Sequence, residues 1–385
     1  MVQPLSAGFT RTSTGFNPVA EHSYGIPAPY YFSPDIYARE RDAIWFKTWQ
    51  YVGCTQELAA PGSYLTAHVL DQHVVVVRDK VGELRAFFNV CRHRGHVLAE
   101  GRGSTAALRC PFHAWTYDLD GRLIGAPNSE NVPGFTLDEF TLVPVRLETL
   151  GFMIFVNLDA NARPLAEIAA GLLDDFRAQV PNFDAMKLTR TETFEVKANW
   201  KFILDGLECY HCPYIHPEVM GKDGYVTQSF DTREQEFWTV HINRGKYDLL
   251  EKHKDRLPYP LDEVAIRDIV IWFLWPNLVF VARQGPSNFQ ILQADPQGPE
   301  LTRRHMINFC LNEQPTKYDL GHMDQYRNVA WPQDRKAMEM QALGVKSLGF
   351  RQGRLMVDPE HSWRSEHGTH HFQHLVWLAL NGPHY

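Results

Sequence analysis

Four residues in one short stretch carry the strongest chemical signal in this sequence. Cys91 and His93 lie in Cys-Arg-His-Arg-Gly-His, and Cys110 and His113 lie in Cys-Pro-Phe-His, with sixteen residues between His93 and Cys110. Each end of the stretch offers one thiolate and one imidazole. A structural zinc site more often pairs Cys with Cys and His with His. Two mixed pairs can instead divide between two metals, both sulfurs on one iron and both imidazoles on the other, as a two-iron, two-sulfide cluster requires. Two ferric ions, two sulfides and two thiolates sum to zero charge, whereas four thiolates would leave minus two. The neutral form accepts an electron more readily, at roughly −150 to +300 mV against about −400 mV for the all-thiolate kind. A zinc site is the competing use of the same four side chains.

A second constellation follows a hundred residues on. Glu208-Cys209-Tyr210-His211-Cys212-Pro213-Tyr214-Ile215-His216-Pro217 holds two histidines five apart. On an ideal helix that spacing turns their side chains away from each other, and Pro213 and Pro217 stop a regular helix. The pair converges only on a distorted backbone. Two histidines and one carboxylate form the facial triad of a non-haem Fe(II) oxygenase, with positions left open for O₂ and substrate. A cluster that delivers electrons implies an acceptor, and this is the best acceptor site in the chain. Cys209 and Cys212 are read as packing residues, because oxygen activation prefers imidazole and carboxylate to soft thiolate.

At these residues the sequence resembles the Rieske oxygenases. The likeness rests on Cys-x-His-Arg-Gly, the sixteen-residue gap, Cys-Pro-x-His-x-Trp, Tyr117-Asp118-Leu119-Asp120-Gly121-Arg122, and later Asn199-Trp200-Lys201, Glu208, His211 and His216. It covers nearly the whole chain from about residue 30. The resemblance implies that Cys91, His93, Cys110 and His113 hold a [2Fe-2S] cluster, with Arg94 and Trp115 beside it. It implies that His211 and His216 bind a mononuclear iron, and that Glu208 links a cluster histidine to an iron histidine. The third iron ligand is expected to be a carboxylate opening a C-terminal helix. Asp334 after Trp331-Pro332-Gln333 suits it, while spacing alone leaves Asp319, Asp324 and Glu339 open. Many relatives carry Asn where this chain has Asp205, which is expected as a partner of an iron histidine in the catalytic machinery.

The same resemblance implies an α+β fold: a small all-β Rieske domain, then a catalytic domain whose antiparallel sheet is covered by helices (helix-grip, START-like). The expected divisions are 1–46 (arm and helix), 47–157 (cluster domain) and 158–385 (catalytic domain). The implied activity is that of a terminal oxygenase, in a homotrimer, using O₂ and electrons from a separate NAD(P)H reductase of flavin or ferredoxin type. No Gly-rich dinucleotide fingerprint occurs in the chain itself. The pattern is most like the branch acting on choline, glycine betaine and carnitine, by monooxygenation with possible N-demethylation or C–N cleavage. The alternatives are an oxygenase of aromatic rings or aromatic acids, and a Rieske electron carrier without mononuclear iron. Trp238 and Trp272 are candidates for a cation–π cage, and Arg283 for holding a carboxylate.

Composition and patterning supply the scaffold. The 385 residues suffice for two domains, and 44% hydrophobic with 12% aromatic residues can bury a sizeable core. A net charge of −7 argues against a nucleic-acid or anionic-membrane partner. The six cysteines show no secreted disulfide framework, and the first thirty residues lack an apolar core, so a cytoplasmic location is expected. Residues 1–33 read as an extended arm, and Ser33-Pro34 opens a helix. Strand signals recur between 51 and 156, with Asp120-Gly121 as a hairpin turn, and again at 189–196, 236–242, 269–273, 278–282, 289–294 and 305–310. The apolar run 269–282 is too short for a membrane span of roughly 17–25 residues and reads as a strand pair turning at Pro276-Asn277. Helices are expected over 165–179, 200–210 and 334–347, and His361–His374 reads as structural.

Overall fold

The structure, a computed structural model, describes residues 15–206, 211–217 and 230–382. Chain packing divides it into two units: Trp45–Ala170, and the N-terminal segment up to Ile44 joined to Gly171–Tyr385.

Short runs of β-branched and aromatic residues between turns make the Trp45–Ala170 unit an antiparallel β structure. Its strands are β1 (Gln50–Cys54), β2 (Ser63–Val69), β3 (Gln72–Arg78), β4 (Leu84–Phe88), β5 (Arg102–Ser104), β6 (Leu108–Arg109), β7 (Thr116–Tyr117), β8 (Leu123–Gly125), β9 (Pro144–Leu150) and β10 (Met153–Asn157). One sheet runs β1-β10-β9-β4-β3-β2-β5, and β6-β7-β8 form a small sheet of their own. Val74 to Val77 are fully buried in β3, between β2 and β4. The Asp120-Gly121 turn forms as expected. Gly121 has φ +91°, and a Cβ there would sit 2.5 Å from the Phe87 ring, so only glycine fits. The unit continues past residue 157 because later residues are strapped to it. The Trp49 indole donates to the Arg163 carbonyl at 2.8 Å, and Glu148 accepts the Leu165 N–H at 2.8 Å.

The other unit is built on a second antiparallel sheet. Its strands are β11 (Lys187–Val196), β12 (Asp231–Glu234), β13 (Trp238–Asn243), β14 (Ile269–Leu274), β15 (Leu278–Ala282), β16 (Asn288–Gly298) and β17 (Leu301–Cys310), in the order β11-β17-β16-β15-β14-β13-β12. The apolar run 269–282 is the expected strand pair, with Leu274 opposite Leu278 across the Pro276-Asn277 turn. Alternation of side chains sorts this sheet into two faces. On one, Phe176 from the helix Leu172–Gln179 packs edge-on against Trp272 and Phe280, at 5.0 and 4.9 Å. On the other, Ile269, Ile271, Val279 and Val281 line a cavity.

Two expectations need correction. The helix read over 165–179 is two short ones, Leu165–Ile168 and Leu172–Gln179, separated where Gly171 adopts φ +77°. The described part of the N-terminal arm, 15–33, is packed rather than free. Gly25 and Ala28 donate backbone N–H groups to Gly353 and Arg351 at 2.9 Å, and Ile26, Tyr30 and Tyr31 are buried. The helix Pro34–Glu40 opens as expected, with the Ser33 side chain accepting the Ile36 N–H. Among the described residues no helix is long and apolar enough to cross a membrane.

A buried ion pair ties this N-terminal helix to Asn199-Trp200-Lys201. Glu40 and Lys201 are fully buried, 2.5 Å apart, and the second Glu40 oxygen accepts the Trp200 indole N–H at 2.9 Å. Removing one partner strands the other charge in a dry site. Glu40→Ala is therefore expected to cost about 3–5 kcal/mol of stability, read by chemical denaturation; a loss below about 1 kcal/mol, the scale of an exposed pair, would contradict this.

Candidate active site

The two cluster-motif loops are built alike. The Cys91 N–H donates to the His96 carbonyl at 2.8 Å, and the Gly95 N–H donates to the Cys91 carbonyl at 3.0 Å. In the second loop, Cys110 and Trp115 repeat the first bond at 2.8 Å, and Ala114 and Cys110 repeat the second at 3.0 Å. Both loops need a positive φ four residues after the cysteine. Gly95 supplies +74° freely, and Ala114 is held at +59°. The motif glycine thus answers to backbone geometry, since a Cβ at Gly95 would meet nothing within 4 Å.

These loops present thiols inward and imidazoles outward. Cys91 and Cys110 are buried and free, in a core with Val75, Phe87 and Leu98. The Tyr117 hydroxyl lies 3.4 Å from Cys91 Sγ and accepts the Arg92 N–H at 3.0 Å. Burial is the largest cause raising the Cys91 thiol's pKa, and the adjacent Cys110 adds to it. The His93 and His113 rings stand 4.7 Å apart, edge to face, and Trp115 stacks on His93 at 4.8 Å. His113 Nδ1 is buried with no hydrogen-bond partner among the described residues. An orphaned buried ring nitrogen in a motif that also supplies two buried thiols fits a metal cluster and would be a penalty otherwise. Arg94 is exposed, with its guanidinium 5.5 Å from the Phe112 ring.

The second constellation lies in the other unit. His211 precedes the short helix Cys212–Ile215, and His216 leaves helical geometry at φ −120°, ψ 57°. That departure is the backbone distortion the five-residue spacing called for. The buried His216 places Nε2 2.8 Å from Asp334 Oδ1 and Nδ1 2.7 Å from the Gln333 side-chain amide. Asp334 sits in the first turn of the helix Trp331–Gly344. The three other acids left open by spacing are engaged elsewhere. Asp319 caps its helix with Thr316, Asp324 pairs with Arg190 at 2.7 Å, and Glu339 pairs with Arg335 at 3.0 Å. His211 lines the same cavity as His216 and Asp334, with Nε2 3.8 Å from Cys212 Sγ. Among the described residues no three His, Cys, Asp or Glu side chains converge on one point. For the cluster motif this is natural, since its ligands divide two and two. Glu208 and Cys209 lie outside the described residues.

Asp205 differs from its expected place. Its carboxylate is taken up by Tyr31, whose hydroxyl donates at 2.5 Å, and by Gln373 at 2.9 Å, so its partners among the described residues include no histidine. It joins the N-terminal strap to the helix His367–Asn381. Burial pushes its carboxyl up to about 6 from 3.8, against the lowering effects of Tyr31, Gln373 and Lys201, with Glu366 adding slightly to the rise. The folded chain therefore holds this proton more tightly than the unfolded chain. Stability falls as pH rises from about 4 to about 6 and the penalty persists above that. Asp205→Asn is expected to be more stable than wild type at pH 8 by on the order of 2 kcal/mol, with no advantage at pH 4. Equal differences in melting temperature at both pH values would contradict this.

The cavity has a volume of about 210 Å³. Of the residues expected in a pocket, Arg283 lines it, whereas Trp238 and Trp272 do not. Strand parity explains the difference. Trp238 pairs with Leu274 and Trp272 with Val240, on the face opposite Ile271, and the Trp272 indole donates to Asp175 at 2.6 Å in the aromatic core. Arg283 stacks on Tyr326 at 3.9 Å and donates to Gln290 at 2.9 Å. Sequence reasoning missed His322, Tyr326 and Arg304, which also line the cavity. His322 and Tyr326 stand on the helix Lys317–Gln325 and the π-helical turn Tyr326–Ala330 after it. The Thr316-x-x-Asp319 capping box was the signal for that helix. Burial, aided by Arg283, pushes His322 down to about 3, so it is neutral at neutral pH.

Comparison with known proteins agrees with this arrangement. Residues 48–136 match the Rieske [2Fe-2S] domain family, and residues 183–380 match the ring hydroxylating alpha subunit (catalytic domain) family. The chain is 33% identical to a carnitine monooxygenase oxygenase subunit of Acinetobacter baumannii, covering 92% of this chain and 94% of that one. It is 38% identical to a glycine betaine monooxygenase oxygenase subunit of Chromohalobacter salexigens, covering 86% and 81%. The crystal structure of the quaternary ammonium Rieske monooxygenase CntA in complex with γ-butyrobetaine superposes with a TM-score of 0.82 at 31% identity, covering 95% of this chain and 97% of that one. Both motif regions fall inside matched families and full-length relatives align end to end, so the chain belongs to the ring-hydroxylating oxygenase alpha subunits that carry a Rieske [2Fe-2S] domain.

Proposed function

We propose that this oxygenase acts on a quaternary ammonium substrate, holding its mononuclear iron with His211, His216 and Asp334 and its cluster with Cys91, His93, Cys110 and His113. The observation that carries the iron site is the meeting of His216 and Asp334, 2.8 Å apart, in the wall of an otherwise largely apolar cavity that His211 also lines. The substrate class is supported by full-length relatives named for carnitine and glycine betaine. When bound, the cluster supplies single electrons and the mononuclear iron activates O₂. The chain's own residues arrange this chemistry. The Tyr117 hydroxyl donates toward Cys91 sulfur, and such hydrogen bonds raise a cluster's potential. The Gln333 side-chain amide, 2.7 Å from His216 Nδ1, would hold the imidazole ring in place as an iron ligand. Glu208, which lies outside the described residues, is assigned the role of coupling the cluster to the iron.

The overall reaction inserts one oxygen atom into a substrate C–H bond and releases the other as water, consuming two electrons and two protons. The electrons come from a separate NAD(P)H reductase, because no dinucleotide motif lies in this chain. The reading includes a homotrimer, consistent with the inter-subunit electron transfer named for CntA, and a cytoplasmic setting, consistent with the free cysteines. The test is substrate-dependent NAD(P)H oxidation with a cognate reductase. Carnitine, γ-butyrobetaine, glycine betaine and choline are run against benzoate and related aromatic acids. Turnover with a quaternary amine is expected; turnover with aromatic acids alone overturns the substrate reading.

A further inference from the structure

We infer that Arg304 binds a carboxylate of the substrate, so that the cavity selects quaternary ammonium acids over quaternary ammonium alcohols. Arg304 lies on β17, lines the cavity and is only 5% exposed. Its guanidinium is clamped in place, with Nη2 donating to the Tyr326 hydroxyl at 3.1 Å and the central carbon 4.4 Å from the Trp331 ring. Nε and Nη1 are buried with no hydrogen-bond partner among the described residues. A guanidinium stays charged at any physiological pH and cannot relieve its burial by releasing a proton. A buried, unpaired cation is strongly penalised, and native structures keep such a group where a partner completes it.

The described cavity wall holds no spare carboxylate. Among the described lining residues the only carboxylate is Asp334, which the iron site claims. His322 is neutral and carries no negative charge to offer. Arg283 adds a second cation to the same wall, stacked on the opposite partner of Arg304, Tyr326. Two arginines around one tyrosine give the wall a positive field, with Nε and Nη1 of Arg304 left over. The complementary ligand group is a carboxylate, to which arginine offers charge-assisted hydrogen bonds. Choline has no such group, whereas the betaines have one. The inference deepens the substrate reading above and rests on it for the cationic half of the ligand; the carboxylate half stands on Arg304.

The test crosses the two halves. Anaerobic, metal-loaded wild type and Arg304→Gln are titrated calorimetrically with γ-butyrobetaine, choline, benzoate and benzyl alcohol. Wild type is expected to bind γ-butyrobetaine at least about 100-fold more tightly than choline, and Arg304→Gln to lose about that factor for the acid while leaving choline unchanged. An unchanged cluster absorption spectrum shows that the variant folds; if it does not fold, Arg304→Lys replaces it and is expected to lose affinity for the acid alone. Benzoate binding that depends on Arg304, without γ-butyrobetaine binding, would sink the quaternary-amine reading and uphold the carboxylate site. Equal affinity of wild type and variant for every carboxylate, choline binding as tight as the acid, or no carboxylate binding at all would overturn the assignment.

Discussion

His216→Ala is expected to abolish product formation while leaving the [2Fe-2S] cluster intact. His216 joins the iron site to its support from both ring nitrogens, with Asp334 at 2.8 Å on one side and Gln333 at 2.7 Å on the other. Under the proposed iron site, losing it removes one imidazole ligand, and it leaves the Asp334 carboxylate without its neighbour. The effect should exceed the roughly 10–100-fold cost of losing an outer partner of a metal ligand, which is the loss expected for Gln333→Ala. Iron content should fall by about a third, since the two cluster irons remain. The cluster ligands belong to the Trp45–Ala170 unit and His216 to the other. The visible absorption of the cluster should therefore survive. Turnover within tenfold of wild type would exclude His216 as a ligand.

Glu208→Gln is expected to keep both metals and lose coupled turnover. A carboxylate accepts two N–H groups at once and holds two imidazoles in fixed tautomers. A carboxamide has one acceptor oxygen, and its NH₂ would face one of the two ring N–H donors. Reoxidation of the reduced cluster, followed by rapid mixing with substrate and O₂, should slow by about 10–100-fold. Iron and sulfide contents should match wild type. Unchanged reoxidation and a normal yield of product per NAD(P)H would remove Glu208 from the path.

What the sequence displays and what it hides follow from how local each feature is. The cluster-motif loops are legible because each Cys–His pair lies within one short loop, and the loop's demands, a positive φ at Gly95 and at Ala114, are met within five residues of chain. Asp334 is legible as a helix opener after Pro332, but its union with His216 spans over a hundred residues and needs the fold. The cavity wall is the least legible part. β14 and β15 are apolar on both faces, so no alternation marks which residues point inward. Trp272 and Ile271 look equally suited to a pocket, and only strand register separates them. Arg304 escaped notice because β17 starts at Leu301, four residues before the apolar signal at 305. Asp205 could not be placed at all from local sequence, because its partners, Tyr31 and Gln373, lie 174 and 168 residues away.

The most direct test is the metal and sulfide content of anaerobically purified protein. Two distinct iron centres on one chain require about three irons to two acid-labile sulfides, with a reduced-cluster resonance in the electron paramagnetic spectrum. Zinc without sulfide, or two irons to two sulfides after iron loading, would contradict it.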